Sequence, residues 1–321
     1  MFRGFANLWT IVGLARDLPR NKPLPLRVAG ERVVLFRDAA GFPCALVDRC
    51  PHRGVALSLG QVREGIIECP FHGWRFDGSG ANCHVPWNPD ARRDRLGATA
   101  LPLRERAGLL WLYTGFAPAE EPQPSESLLR PGVVLCGQSA LWNTHWTRAM
   151  ENMLDSPHLP FVHKGTIGRF VAPHVGGRMD VSWTGTPYGA RIENAIEGRE
   201  RGARLDYRSP NVMELFIDPA GRLFRMLAIC LPVDDDHTLL TIVTARNFAR
   251  WRGFDGYFRR SNRKIAEEDR AITESSCPPE VPPPGVEKSV RTDAPTLAFR
   301  KLYWDKFRQS DASAAPARHQ P

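Results

Sequence analysis

Cys50-Pro51-His52-Arg53-Gly54 and Cys69-Pro70-Phe71-His72-Gly73 are the two stretches from which the fold of this chain is read. Each pairs a thiol with an imidazole, and sixteen residues separate His52 from Cys69. Two cysteines on one iron and two histidines on the other make the ligand set of a high-potential [2Fe–2S] centre. A zinc site also uses two Cys and two His, but structural zinc favours Cys-x(2–4)-Cys and His-x(3–5)-His spacing. Here each couplet is mixed and tight, which suits two loop tips closing on one cluster. Pro51 and Pro70 stiffen the loops, Gly54 and Gly73 permit close backbone approach, and Trp74 follows where it can shield a cluster from water.

Around these couplets the chain has 321 residues, 42% apolar and 24% charged, which fits a globular protein of two ordinary domains. No apolar run approaches the ~20 residues of a membrane span. The apolar patch at Leu8–Ala15 lacks the basic start and cleavage site of a signal peptide. Five of the seven cysteines (Cys44, Cys83, Cys136, Cys230 and Cys277) form no disulfide framework, which predicts a reducing cytoplasm. The formal charge of +8 comes from dispersed arginines without a basic–aromatic cluster. That argues against nucleic acid and allows steering of an acidic electron-transfer partner.

The first third reads as short strands between turns: Leu24–Val28, Arg32–Arg37, Cys44–Val47, Ile66–Cys69, Trp74–Phe76 and Leu109–Tyr113. Phe116–Ser125, rich in proline, reads as a linker. Beyond it the pattern predicts a helix over about Trp142–Met153 and strands at Arg178–Trp183, Ala190–Ala195, Val212–Ile217, Leu223–Leu231 and Thr238–Thr244. Helices are expected over about Tyr257–Glu274 and Leu297–Phe307, with a disordered tail at Asp311–Pro321.

A second constellation lies in Asn152-Met153-Leu154-Asp155-Ser156-Pro157-His158 and the following Leu159-Pro160-Phe161-Val162-His163. Two histidines and one carboxylate on one face bind non-heme Fe(II). On a regular helix His158 and His163 stand about 140° apart, so convergence requires the distortion that Pro157 and Pro160 can supply. For the third ligand, the Tyr257–Glu274 helix places Asp269 within an apolar stripe of Phe258, Ile265 and Ile272, with Glu268 at its edge. A carboxylate on a core-facing stripe needs a positive partner, either an arginine or a metal.

Together these residues resemble the catalytic subunits of Rieske non-heme iron oxygenases, over about residues 1–307. The nearest look is to the short homotrimeric group of vanillate demethylase and dicamba monooxygenase. The resemblance implies an α+β chain: an all-β Rieske domain over 1–117, then a catalytic domain over 118–310 with an antiparallel, helix-grip-like sheet and helices, then the tail 311–321. It implies a Rieske [2Fe–2S] cluster on Cys50, His52, Cys69 and His72, and mononuclear Fe(II) on His158, His163 and Asp269. Asp155 is expected to orient His158 and to meet His72 of a neighbouring subunit, with Asn152 near the iron. The implied activity uses O2 and electrons from an NAD(P)H-dependent reductase or ferredoxin to hydroxylate or demethylate a small aromatic substrate. Cis-dihydroxylation, a Rieske electron carrier and a binding module are the other readings. Pocket residues are expected on 223–231 and 239–246, with Phe161 and Trp304.

Overall fold

The computed structural model describes residues 1–200 and 202–308, so the expected tail at 311–321 lies outside the described residues. The chain divides into two compact units, Met1–Ser125 and a second beginning at Glu126.

The first unit is built of eleven strands in three antiparallel sheets. One contains β1 (Trp9–Leu14), β11 (Leu109–Tyr113) and β10 (Leu103–Arg106), in that order. A second runs β2 (Leu24–Val28), β3 (Glu31–Arg37), β4 (Pro43–Val47), β9 (Ala100–Leu101). The third runs β5 (Gln61–Arg63), β6 (Ile66–Glu68), β7 (Arg75–Phe76), β8 (Asn82–His84). The apolar patch at Leu8–Ala15 is thus mostly strand β1, whose Trp9 pairs with Tyr113. The β5–β6 hairpin turns on Glu64 and Gly65, both left-handed, as a two-residue turn matched to strand twist requires. A Cβ on Gly65 would lie 1.9 Å from the Ala39 nitrogen, so no other residue fits.

The proline-rich stretch expected as a linker packs onto this first unit. Trp9 Nε1 donates to the Glu120 carbonyl at 2.7 Å, and Arg104 pairs with Glu121 at 3.0 Å. The boundary between units therefore follows that stretch, at Ser125, where 117 was expected.

The second unit is one seven-stranded antiparallel sheet with helices. A meander of β13 (Met179–Thr186), β14 (Gly189–Ile196), β15 (Ala203–Arg208), β16 (Val212–Phe216), β17 (Phe224–Pro232) and β18 (Thr238–Arg246) is completed by β12 (Val134–Trp142) beside β18. The helices are α1 (Glu126–Leu129), α2 (Trp146–Leu154), α3 (Leu159–Val162), α4 (Asp255–Glu274) and α5 (Ala294–Leu302). Helix α2 packs over β16 and β17, and α4 over β12 and β18.

Several expected elements are shifted. Trp142 ends strand β12, and α2 begins four residues later, because His145 caps it by accepting from the Thr147 N–H. Strands β12 and β15 have no counterpart in the sequence reading. The final helix starts at Ala294, with Pro295 in its first turn where a missing N–H costs nothing, and ends in a wider turn over Tyr303–Arg308.

The register gives the sheet two unlike faces. Ile192, Leu205, Met226 and Ile242 share the face turned to the helices, which is fixed by Asn262 donating to Thr244 at 2.8 Å and by Tyr207 meeting Phe299 at 5.6 Å. The opposite face carries Arg191, Arg204, Asp206, Arg208, Glu214 and Arg225, tied into ion pairs such as Arg208–Glu214 at 3.0 Å.

Candidate metal centres

The two Cys–His stretches form loops built on one hydrogen-bond frame. The Cys50 N–H donates to the Val55 carbonyl and the Gly54 N–H to the Cys50 carbonyl, both at 2.8 Å. The second loop repeats this, with Cys69 N–H to Trp74 carbonyl at 2.8 Å and Gly73 N–H to Cys69 carbonyl at 3.0 Å. Gly54 and Gly73 are left-handed at equivalent positions, which lets each loop reverse over a buried sulfur. The histidine falls two residues after the cysteine in the first loop and three after it in the second.

Behind the loops lies the core of the unit. Cys50 and Cys69 are buried among Val34, Phe36, Leu46 and Ile67, whereas His52 and His72 are exposed. The two imidazoles lie 4.6 Å apart at their centroids, and the Trp74 ring stacks on His52 at 4.6 Å and 3°. Asp48, itself buried, accepts from the Ser58 N–H at 2.8 Å and from its Oγ at 2.6 Å, pinning the end of the first loop. Burial, with the nearby Cys69 thiol, pushes the Cys50 thiol up to about 11. A thiolate there requires a cation, so buried sulfur inside and exposed imidazole outside fit a [2Fe–2S] cluster whose histidine-bound iron faces out.

In the second unit α2 stops at Leu154, with Asp155 extended at its C-cap. Pro157 cannot continue the helix, and the chain restarts as the single turn α3 with His158 and His163 at its two ends. This break brings the two rings to 5.3 Å between centroids. From α4, Asp269 Oδ1 lies 3.5 Å from His158 Nε2 and 3.1 Å from His163 Nε2. Among the described residues these three form the one group of three or more His, Cys, Asp or Glu able to hold a single ion, all ligand atoms lying within 4.8 Å of one another.

Each imidazole is held from behind by a carboxylate. Asp155 Oδ2 accepts from the His158 backbone N–H at 3.1 Å and lies 3.0 Å from His158 Nδ1. Glu268 Oε2 lies 2.8 Å from His163 Nδ1 and accepts from Thr166 Oγ1 at 2.6 Å. With each Nδ1 so engaged, the lone pair of each Nε2 is left for a metal. Burial pushes the His163 imidazole down, but the Asp269 carboxylate and then Glu268 outweigh it, and the net shift is upward. Asp269 Oδ1 is buried and receives no aligned hydrogen bond. An orphaned carboxylate oxygen facing two imidazole nitrogens is a donor set that suits Fe(II).

The structure thus gathers His158, His163 and Asp269, with Asp155 behind His158. Asn152 sits one turn before Asp155, its Nδ2 buried and without an acceptor. The basis for Asp269 is corrected: Ile272 is 55% exposed, and the inward stripe of α4 is Asn262, Ala266, Asp269 and Thr273. Glu268 was placed only at the stripe's edge; its contact with His163 spans 105 residues, which no local pattern reveals. Trp304 turns its Nε1 to the Val281 carbonyl at 3.1 Å, and Phe161 is 59% exposed.

Comparison with known proteins gives the same division. The model of the Rieske [2Fe-2S] domain matches residues 8–98, and that of the vanillate O-demethylase oxygenase C-terminal domain matches residues 142–305. Chlorophyllide a oxygenase of Chlamydomonas reinhardtii is 29% identical over 83% of this chain and 42% of its own length. The oxygenase component of dicamba O-demethylase of Stenotrophomonas maltophilia is 30% identical over 49% of this chain and 47% of its own. The crystal structure of dicamba monooxygenase bound to dicamba superposes with a TM-score of 0.80 at 23% identity, covering 96% of this chain and 98% of that one. The chain spans about half the length of the curated relatives it matches. No described helix is long and apolar enough to cross a membrane.

Proposed function

Because this chain belongs to the Rieske oxygenases whose C-terminal domain is that of vanillate O-demethylase oxygenase, we propose that it is the oxygenase component of a multi-component system that hydroxylates or demethylates a small aromatic molecule. The observation that carries this reading is the triad of half-buried His158 with buried His163 and Asp269, with Oδ1 of Asp269 lacking any aligned donor. Cys50, His52, Cys69 and His72 would hold the [2Fe–2S] cluster, and the triad would hold Fe(II). When bound, the cluster supplies single electrons and the iron supplies dioxygen activation.

What the chain's own groups do follows from their contacts. Asp155 and Glu268 fix the ring planes and tautomers of His158 and His163, so that each Nε2 faces Asp269. Asp155 is also accessible enough to accept a further hydrogen bond. In our reading that bond comes from His72 of a neighbouring subunit, so that a homotrimer joins the exposed Rieske histidine to the iron site. Asn152, with a free buried Nδ2, stands ready as a donor on the same helix. An NAD(P)H-dependent reductase or a ferredoxin feeds the exposed side of the cluster. The proposed location is the cytoplasm.

The test is elemental and kinetic. The purified, reconstituted chain should hold about three irons, and His158→Ala or Asp269→Ala should lower this to about two while cluster absorbance persists. Substrate-dependent O2 consumption with a competent reductase should vanish in both variants. Two irons in the native chain, or no O2 consumption over a broad aromatic panel, overturns the proposal.

A further inference from the structure

The face of the sheet turned to α2 and α4 also lies against the ligand segment, since Asn194 Nδ2 on β14 donates to Ser156 Oγ at 2.9 Å. Its central strands present Ile192, Leu205, Leu215, Met226, Ala228 and Ile242. Leu215 and Met226 stay partly accessible among buried neighbours, which marks a recess there. Among the described strand residues on this face the one charge is Arg246, at the end of β18, which Asp255 pairs at 2.6 Å and Phe258 stacks at 4.4 Å. Every other charged side chain of the seven strands is on the opposite face.

The helix cations near the triad are turned away from this face or are already paired. Lys264 is exposed, with its Nζ beside Gly165 and Glu268 at the edge of α4. Arg300 pairs with Glu151 and Glu287. Arg270, next to Asp269, is held by Glu274 at 2.8 Å. Arg148 is held by Glu151 at 2.9 Å and Glu287 at 2.7 Å. Arg259 shares α4's inward side, but ten residues separate it from Asp269, about 15 Å of helix. Its side chain leans toward the helix N-terminus and so farther away.

Two donors on the neutral face are unspent, Trp142 Nε1 at the far end of β12 and Gln138 Nε2 at its centre, and the second lies nearer the ligand carboxylate. Gln138 on β12, opposite Ile242, has its Nε2 buried and without an acceptor. Helix α4 runs along β12 between two ties: Asn262 to Thr244, the partner of Cys136, and Glu274 Oε1 to the Asn143 N–H at 2.8 Å. Asp269 is seven residues along α4 from the first tie and Gln138 two along β12, placing them within about one helical turn of each other along that direction. Ala266, the side chain between, is small and buried.

We propose that the molecule accepted beside the triad is uncharged and mainly apolar, and carries one hydrogen-bond acceptor that Gln138 Nε2 meets. This rests on the oxygenase reading of the site. A carboxylate in this recess would lose its hydration and find no cation, whereas a carbonyl would satisfy an otherwise wasted donor.

The test measures binding to the holoenzyme, both centres loaded, under anaerobic conditions at neutral pH. Three probes of similar size suffice: 4-methoxyacetophenone, 4-methoxybenzoate and 4-ethylanisole. The neutral ketone should bind at least roughly thirtyfold more tightly than the carboxylate. Gln138→Leu should weaken the ketone roughly five- to tenfold and leave 4-ethylanisole unchanged. Met226→Lys, which puts a cation on the recess floor, should raise affinity for the carboxylate. Equal or tighter binding of the carboxylate by the native enzyme overturns the proposal, as does an equal loss of all probes in Gln138→Leu. Binding of none of the three by a chain that holds its mononuclear iron overturns the substrate class and leaves the oxygenase reading standing. Absence of that iron overturns the oxygenase reading, while the same binding series still decides the charge preference.

Discussion

Removing the carboxylate behind His163 should weaken the iron site without touching the cluster. Glu268 Oε2 serves two donors, His163 Nδ1 at 2.8 Å and Thr166 Oγ1 at 2.6 Å. His163 is 1% exposed, so its ring has no water to replace that acceptor, whereas Glu268 is 20% exposed and part of its charge is screened. Loss of such a partner costs about 10- to 100-fold in metal affinity, or about 1.4–2.7 kcal/mol. Glu268→Gln keeps one acceptor oxygen and loses the charge, so the low end is expected. Glu268→Ala leaves both donors unsatisfied and frees the imidazole tautomer, which places it at the high end. Glu267→Gln, at the neighbouring exposed position paired only with Arg270, is the control. The assay is anaerobic competition for Fe(II) with a chromogenic chelator, alongside cluster absorbance. If Glu268→Ala binds iron within twofold of the native chain, the orienting role is refuted.

Two further outcomes follow from the same kind of contact. Asp48→Ala removes both acceptors of Ser58 beneath the first cluster loop and should cost about 2–3 kcal/mol, read as a lower Tm and faster cluster loss; an unchanged Tm contradicts it. Burial opposes ionisation of Asp206, but the Arg204 guanidinium and the Tyr188 hydroxyl outweigh it and hold its carboxyl below the usual range. Its contribution is therefore complete above an unfolded carboxylate value of about 3.9 and is lost as pH falls through the lower folded value. Asp206→Asn should flatten the Tm–pH curve below about pH 5, and a curve parallel to the native one argues against the linkage.

The cluster loops were legible because their ligands are four or fewer residues apart and ligand chemistry is local. The hairpins around them follow from turn residues. Helix α4 was legible in extent but not in orientation. Its apolar residues Phe258, Ile265 and Ile272 suggest a core stripe, yet the buried side holds Asn262, Ala266, Asp269 and Thr273. A helix that serves a polar site spends its inward positions on function, and the apolar pattern then misleads. Strand β12 was hidden by Gly137, Gln138 and Ser139 at its centre. Strand β15 was hidden by Arg204, Asp206 and Arg208, which look solvated but form a half-buried row of ion pairs. Glu268 and Gln138 owe their roles to neighbours more than a hundred residues away, so no spacing announces them.

The single turn α3, bounded by a ligand at each end and facing one carboxylate on α4, acts as a clasp. An ion held there cross-links residues 158 and 163 to residue 269 and closes a loop of about a hundred residues, much as a covalent bridge would. Iron then belongs to the folding equilibrium as well as to the chemistry. At a free iron concentration a hundred times its dissociation constant, the native state gains about 2.7 kcal/mol. Stripping the mononuclear iron should therefore make the chain easier to unfold and to cut with protease, before any substrate is present.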